Sequence, residues 1–240
     1  MPHISWRGTW RGLSPAGLSH QRAREVLRST GGIVRGKFPS RKTGRMVHYE
    51  GLLELDALYL FETSPLIACY TEQPVRIYYP DGARLRRYTP DFQLTLADGQ
   101  EVLIEVKPAA NAAHPDTRRS LAQIAAHFSR AGQAFEVLTD ELIRIEPRLS
   151  NLKVIHHEAA RIRPEFLKGE VALRRLTPSF PMETHAAQAA LSAFSLDPYS
   201  LLLAGQLVCD LGMPVGANTL LNLNLENGHE WFRLSHRHHF

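Results

Sequence analysis

Tyr88-Thr89-Pro90-Asp91-Phe92, a turn at Asp98-Gly99, and Ile104-Glu105-Val106-Lys107-Pro108 form the stretch on which the reading of the fold turns. Side chains alternate across a strand, so Glu105 and Lys107, two residues apart, project from one face. Asp91 lies near the start of a strand expected over residues 88–96, and residues 101–106 make the next one. Gly tolerates positive φ at the turn and Asp folds back on its own backbone, so the two strands join as an antiparallel hairpin. The start of one strand then faces the end of the other. Asp91 can approach Glu105, and two carboxylates converge beside a lysine.

Working outward, Pro80-Asp81-Gly82 is the same turn chemistry, with strands expected at residues 67–70 and 75–79 before it. Residues 48–63 carry Leu53, Ala57, Leu60 and Phe61 at the three- and four-residue spacing of a buried helical face, and Thr63-Ser64-Pro65 ends the pattern. On that helix Glu50 and Glu54 are one turn apart and share a face. Glu54 stands at helical spacing from Ala57 and Phe61, so its carboxylate is expected near-buried and in need of a partner, for which a metal is suited. Downstream, residues 115–132 put Leu121, Ile124, Ala125 and Phe128 on one helical face, and an apolar strand follows at 135–138. A helix, a meander, a crossover helix and another strand predict an α/β layer fold, a mixed sheet flanked by helices.

The chemistry that suits this convergence is phosphodiester hydrolysis. Mg²⁺ is a hard cation that takes a few carboxylate oxygens and leaves the rest of its shell to water and phosphate, and Mn²⁺ is expected to substitute. Such an ion lowers the pKa of a bound water, polarises the phosphate and neutralises the leaving oxygen. Lys107 would orient or help deprotonate the attacking water and stabilise developing negative charge. An E-V-K triplet alone, or a Pro-Asp dipeptide alone, is common on ordinary strands. The order of acidic helix, T-P-D-F, D-G turn and I-E-V-K-P is what singles this chain out.

That pattern resembles the PD-(D/E)xK nuclease signature. Ser40-Arg41-Lys42-Thr43-Gly44-Arg45, the helix with Glu50 and Glu54, Glu72-Gln73-Pro74 and Tyr88-Thr89-Pro90-Asp91-Phe92 narrow the resemblance, over roughly residues 39–138, to the TnsA endonuclease family of heteromeric transposons. The resemblance implies a restriction-endonuclease-like core and a subunit that cuts the 5′ strands at transposon ends. A TnsB-type transposase would act on the 3′ strands, and a TnsC-type AAA+ ATPase would be a further partner. It also implies a catalytic set of Glu54, Asp91, Glu105 and Lys107, the three carboxylates being metal ligands, with Glu50 as the alternative helix carboxylate. Some TnsA proteins carry Gln at the position of Glu105, so this chain is nearer the restriction-enzyme form. Rival readings are a stand-alone nuclease of this fold, such as a restriction enzyme or junction resolvase, and a non-catalytic binding module.

Charge distribution says more than the net +4 of these 240 residues. Residues 1–45 hold ten Lys and Arg and a single acid, Glu25, which favours a polyanionic partner. Arg41, Lys42 and Arg45 are the expected phosphate contacts, and Trp6 and Trp10 would stack on bases or pack the arm. Residues 1–38 read as a basic arm, 39–150 as the catalytic domain, and 151–240 as a helical region with helices near 184–194 and 198–203, which is either a helical cap on the nuclease core or, as the family resemblance implies, a small winged-helix-like domain that contacts the ATPase. The His-rich end at residues 235–240 reads as a frayed terminus, and His156, His157 and Glu158 as surface residues. Cys69 and Cys209 lack metal-ligand spacing and read as buried free thiols. No signal-peptide-like core or bilayer-length apolar run is seen, so a cytoplasmic protein is expected.

Overall fold

The computed structural model describes residues 34–159, 166–225, 232–235 and 237–240. The arm before residue 34, with Trp6 and Trp10, lies outside the described residues. In chain order the elements are β1 (Arg35–Ser40), β2 (Arg45–Glu50), α1 (Leu52–Thr63), β3 (Ile67–Glu72), β4 (Ile77–Asp81), β5 (Arg84–Tyr88), β6 (Phe92–Leu96), β7 (Glu101–Val106), α2 (Ala109–Ala113), α3 (Pro115–Arg130) and β8 (Ala134–Leu138). After these come α4 (Asp140–Ile143), α5 (Arg148–Glu158), α6 (Phe166–Leu176), β9 (Met182–Glu183), α7 (Thr184–Ser192), α8 (Pro198–Leu203), β10 (Leu207–Val208) and β11 (Leu220–Leu223).

The central sheet runs β3-β6-β7-β8, with β3, β6 and β7 antiparallel and β8 parallel to β7 across the α2–α3 connection. This is the expected mixed sheet. β7 is central, and Val102 to Val106 are buried on both faces, as a strand covered from both sides must be. Val102, Ile104 and Val106 join Ala57, Leu60 and Phe61 of α1 in the main core. On the other face Leu103 and Phe135 pack with Ile124 and Phe128 of α3 and with Tyr79 of β4.

Two strand readings are corrected. The helix expected from residue 48 starts at Leu52, because residues 45–50 pair with β1 and place Val47 opposite Phe38 in the core. Gly51, at φ 135°, turns the chain into α1. The strand expected over 88–96 is two strands that part at Thr89-Pro90-Asp91. Its first half, β5, pairs with β4 as a separate hairpin whose turn is Gly82-Ala83, Pro80 and Asp81 of the expected turn being paired residues of β4.

The region after residue 151 is not only helical. α6, β9, α7 and α8 lead into a β10–β11 pairing, and β11 sits between β10 and β9. The expected boundary at residue 151 falls inside α5, which packs on α1 and on α8. Asn151 itself is buried, donating to the Leu211 and Met213 carbonyls (2.9 and 2.8 Å) and accepting from Val215 N (2.8 Å). The end of the chain is docked rather than frayed, since the Phe232 and Phe240 side chains are buried in the core. Ser235 and His238 meet Glu136 of β8 there. His156, expected on the surface, packs against the touching rings of Phe38 and Tyr59. Both cysteines are free thiols; Cys209 is buried and Cys69 half-buried. No helix among the described residues is long and apolar enough to cross a membrane.

Candidate active site

The β6–β7 register sets Phe92 against Ile104, which leaves Asp91, one residue earlier, level with Glu105. Asp91 is held at both ends. Its Oδ2 accepts the Val106 N–H (2.8 Å), and its carbonyl accepts the Gln73 N–H (2.8 Å). Lys107 Nζ lies 2.5 Å from Glu105 Oε1, confirming that the two side chains share a face. The Tyr88 hydroxyl donates to Glu105 Oε2 (2.6 Å). The sequence reading assigned Tyr88 no role; its position at the end of β5, facing the β7 carboxylate, was hidden while residues 88–96 were taken as one strand.

Electrostatics mark the same place. Burial pushes the Asp91 carboxyl well above the usual carboxylate range, the Glu105 charge adds to that and Glu54 adds further; the Val106 N–H and Lys107 pull the other way without prevailing. Burial and then the Glu105 charge raise the Tyr88 phenol, which therefore stays protonated as a donor. Glu54, in the first turn of α1, accepts the Glu50 N–H at 2.7 Å, from the residue just before the helix N-cap Gly51. Glu50 ends β2 and faces Arg35 at 3.8 Å. Of the two helix-region acids, Glu54 is thus the one whose charge reaches Asp91.

Asp91, Glu105 and Tyr88 line a polar cleft of about 290 Å³ with Gln73, Arg76 and Arg87. Gln73 is buried at φ 47°, and its Oε1 has no hydrogen-bond partner. Carboxylates beside a single ammonium are donor chemistry that a hard divalent cation fits. Among the described residues no group of three or more His, Cys, Asp or Glu side chains is gathered at metal-holding distance. Glu105 is engaged by Lys107 and Tyr88, and Asp91 by Val106.

The cations expected at phosphates are engaged elsewhere. Arg45 is buried and paired through both terminal nitrogens with Glu72. Arg41 donates to the His156 and Ala159 carbonyls (3.0 and 3.1 Å), and Lys42 to the carbonyls of Phe61 (2.8 Å), Ser64 and Ile67 (2.5 Å). Glu62, buried at the end of α1, accepts from Ser40, from Arg41 N and from Tyr70. These side chains fasten the β1–β2 turn to α1. They do not line the cleft, whereas Arg76 and Arg87, which the sequence reading did not single out, do.

Residues 64–140 match the family described as TnsA-like endonuclease N terminal. The match takes in β3 to β8, and with them Asp91, Glu105 and Lys107; Glu54 and the β1–β2 turn precede it. A search of the curated proteins found no match. The matched stretch, about a third of the chain, is the same one that builds the central sheet and the cleft, and it is that domain which is similar to the TnsA-like endonucleases.

Proposed function

We propose that the chain is a Mg²⁺-dependent transposase subunit that hydrolyses the 5′ strands at transposon ends, working beside a TnsB-type transposase and a TnsC-type ATPase. The observation that carries this is that Asp91 and Glu105 line one cleft inside the TnsA-like domain, with Lys107 paired to Glu105. Asp91 and Glu105, with Glu54 nearby, would hold the ion, for which Mn²⁺ would also serve. When bound, it supplies charge neutralisation and Lewis-acid polarisation at a phosphate oxygen.

The chain's own groups do the rest. Lys107, only 28% exposed at its side chain, presents an ammonium where negative charge develops on the phosphate and orients the attacking water. Tyr88 keeps Glu105 in place by donating to one oxygen, and the Val106 N–H does the same for Asp91. In the C-terminal region the order helix, strand, helix, helix, paired strands, with β11 in the middle of its sheet, is that of a winged helix. We assign that region the contact with the ATPase, on the strength of the family resemblance.

The test is strand-specific nicking of transposon-end DNA with Mg²⁺, by the chain alone and with its two partners. Asp91→Ala and Glu105→Ala should abolish 5′ nicking while assembly persists, and Lys107→Ala should lower its rate about 10²- to 10³-fold. Retention of full nicking by Asp91→Ala would overturn the catalytic assignment. Efficient cutting by the wild-type chain without partners would overturn its role as a subunit.

A further inference from the structure

The β4–β5 hairpin stands apart from the central sheet as its own two-stranded ribbon. Its register pairs Tyr78 with Arg87, Tyr79 with Arg86, Pro80 with Leu85 and Asp81 with Arg84. Side chains of opposed residues lie on the same side of a ribbon, and successive residues alternate sides. Ile77, Tyr79 and Tyr88 therefore share one face, and this face packs on α3 and β8 in the smaller core. Asp81, on that side too, accepts from Gln123 of α3 (3.2 Å) and pairs with Arg86. The ribbon is thus anchored by one face.

The other face carries Tyr78, Pro80, Leu85 and Arg87, and alternation adds Arg76 just before β4. It is open, with Tyr78 59% and Leu85 74% exposed. No acidic residue stands on it. Its inner end, Arg76 and Arg87, forms a wall of the cleft that holds Asp91 and Glu105. A ribbon with arginines beside the reacting carboxylates and an aromatic and a leucine farther out has the charge and shape for the groove of a polyanionic duplex. A two-stranded ribbon fits the major groove, and cations at its base would meet the phosphates nearest the bond to be cut.

We infer that the β4–β5 hairpin is the arm that grips duplex DNA, Arg76 and Arg87 holding backbone phosphates next to the scissile one while Tyr78 and Leu85 pack against the groove. The inference rests on the nuclease reading and gives it its substrate-binding surface. It also moves phosphate binding from Arg41, Lys42 and Arg45 to residues that face the cleft.

The experiment is fluorescence anisotropy of the full chain with a labelled transposon-end duplex over a series of salt concentrations. Wild type is compared with Asp91→Ala, Arg76→Ala/Arg87→Ala, Tyr78→Ala/Leu85→Ala and, as a control of equal charge change, Arg118→Ala/Arg119→Ala on α3, the helix behind the ribbon. The Arg76/Arg87 double variant should bind about tenfold more weakly and lose roughly two units of the log–log salt slope, one for each phosphate contact removed. The Tyr78/Leu85 variant should bind more weakly with the slope kept. The α3 pair should behave as wild type, and circular dichroism should show all variants folded. Equal affinity and slope for the Arg76/Arg87 variant and wild type, or equal losses in the α3 pair, would overturn the inference. If wild type nicks the duplex once its two partners are added and Asp91→Ala does not, the nuclease reading survives that failure. If wild type neither binds DNA alone nor nicks it with its partners, both fall.

Discussion

Arg45 and Glu72 show what a single side chain can conceal from sequence. Three cations within five residues read as a phosphate-binding loop, but Glu72, on β3, was invisible as the partner of Arg45 until the β1–β2 hairpin folded against it. Their side chains are 5% and 3% exposed, and the Arg45 fork meets both Glu72 oxygens. Breaking a buried pair by deleting one partner leaves the other charged and dry, which costs about 3–5 kcal/mol. Arg45→Ala should therefore lose stability of that order in urea titration, whereas an exposed phosphate contact would lose less than about 0.5 kcal/mol. A stable Arg45→Ala protein with a reduced salt slope for DNA would restore the phosphate role. The proximity of the candidate site residues was legible for the opposite reason: one hairpin sets Asp91 level with Glu105 and Lys107 beside Glu105, and the period of a strand and the chemistry of one turn suffice to predict that.

At the scale of elements, what sequence misplaced is what depends on distant partners. Residues 45–50 bury Arg45, Val47 and His48 against the fold, yet the apolar spacing of the following helix runs back into them and captures the reading. β5 has no buried side to betray it; only its pairing with β4 makes it a strand. α5 was missed as an element, and with it the setting of His156, whose ring sits 5.4 Å from those of Phe38 and Tyr59 and whose Nε2 has no hydrogen-bond partner. Burial, and then the Arg41 charge, hold the His156 pKa below its ordinary value. The unfolded chain then takes up the proton first as pH falls, so stability contributed by neutral His156 is intact above about pH 6.5 and is lost as the pH drops toward the lower folded pKa. His156→Phe, which keeps a ring against Phe38 and Tyr59, should flatten the decline of Tm between pH 7 and pH 5. An identical decline in the variant would show that other groups govern this window.

For the molecule as a whole, the sequence suggested two domains because the texture changes near residue 151 and prolines multiply beyond it. Texture reports local structure, whereas cooperativity depends on which side chains share a core. Here one continuous apolar cluster takes in Phe38, Phe61 and Ile104 on the nuclease side, Leu152 and Ile155 of α5, and Leu201, Leu207 and Phe240 beyond it. Asp56 of α1 is bound by Lys153 of α5 (2.6 Å) and by Arg144 (2.8 Å), so the proposed boundary is bridged by charge as well. Domains that melt separately need few contacts across their junction, and α5 supplies many. The full chain is therefore expected to unfold in one calorimetric transition, with calorimetric and van't Hoff enthalpies equal. A fragment ending at residue 150 should lose its sharp melt, because it strands the α1 surface that α5 covers. Two resolved transitions in the intact chain, one of them reproduced by that fragment, would mean that the two halves fold independently and that α5 is only a hinge between them.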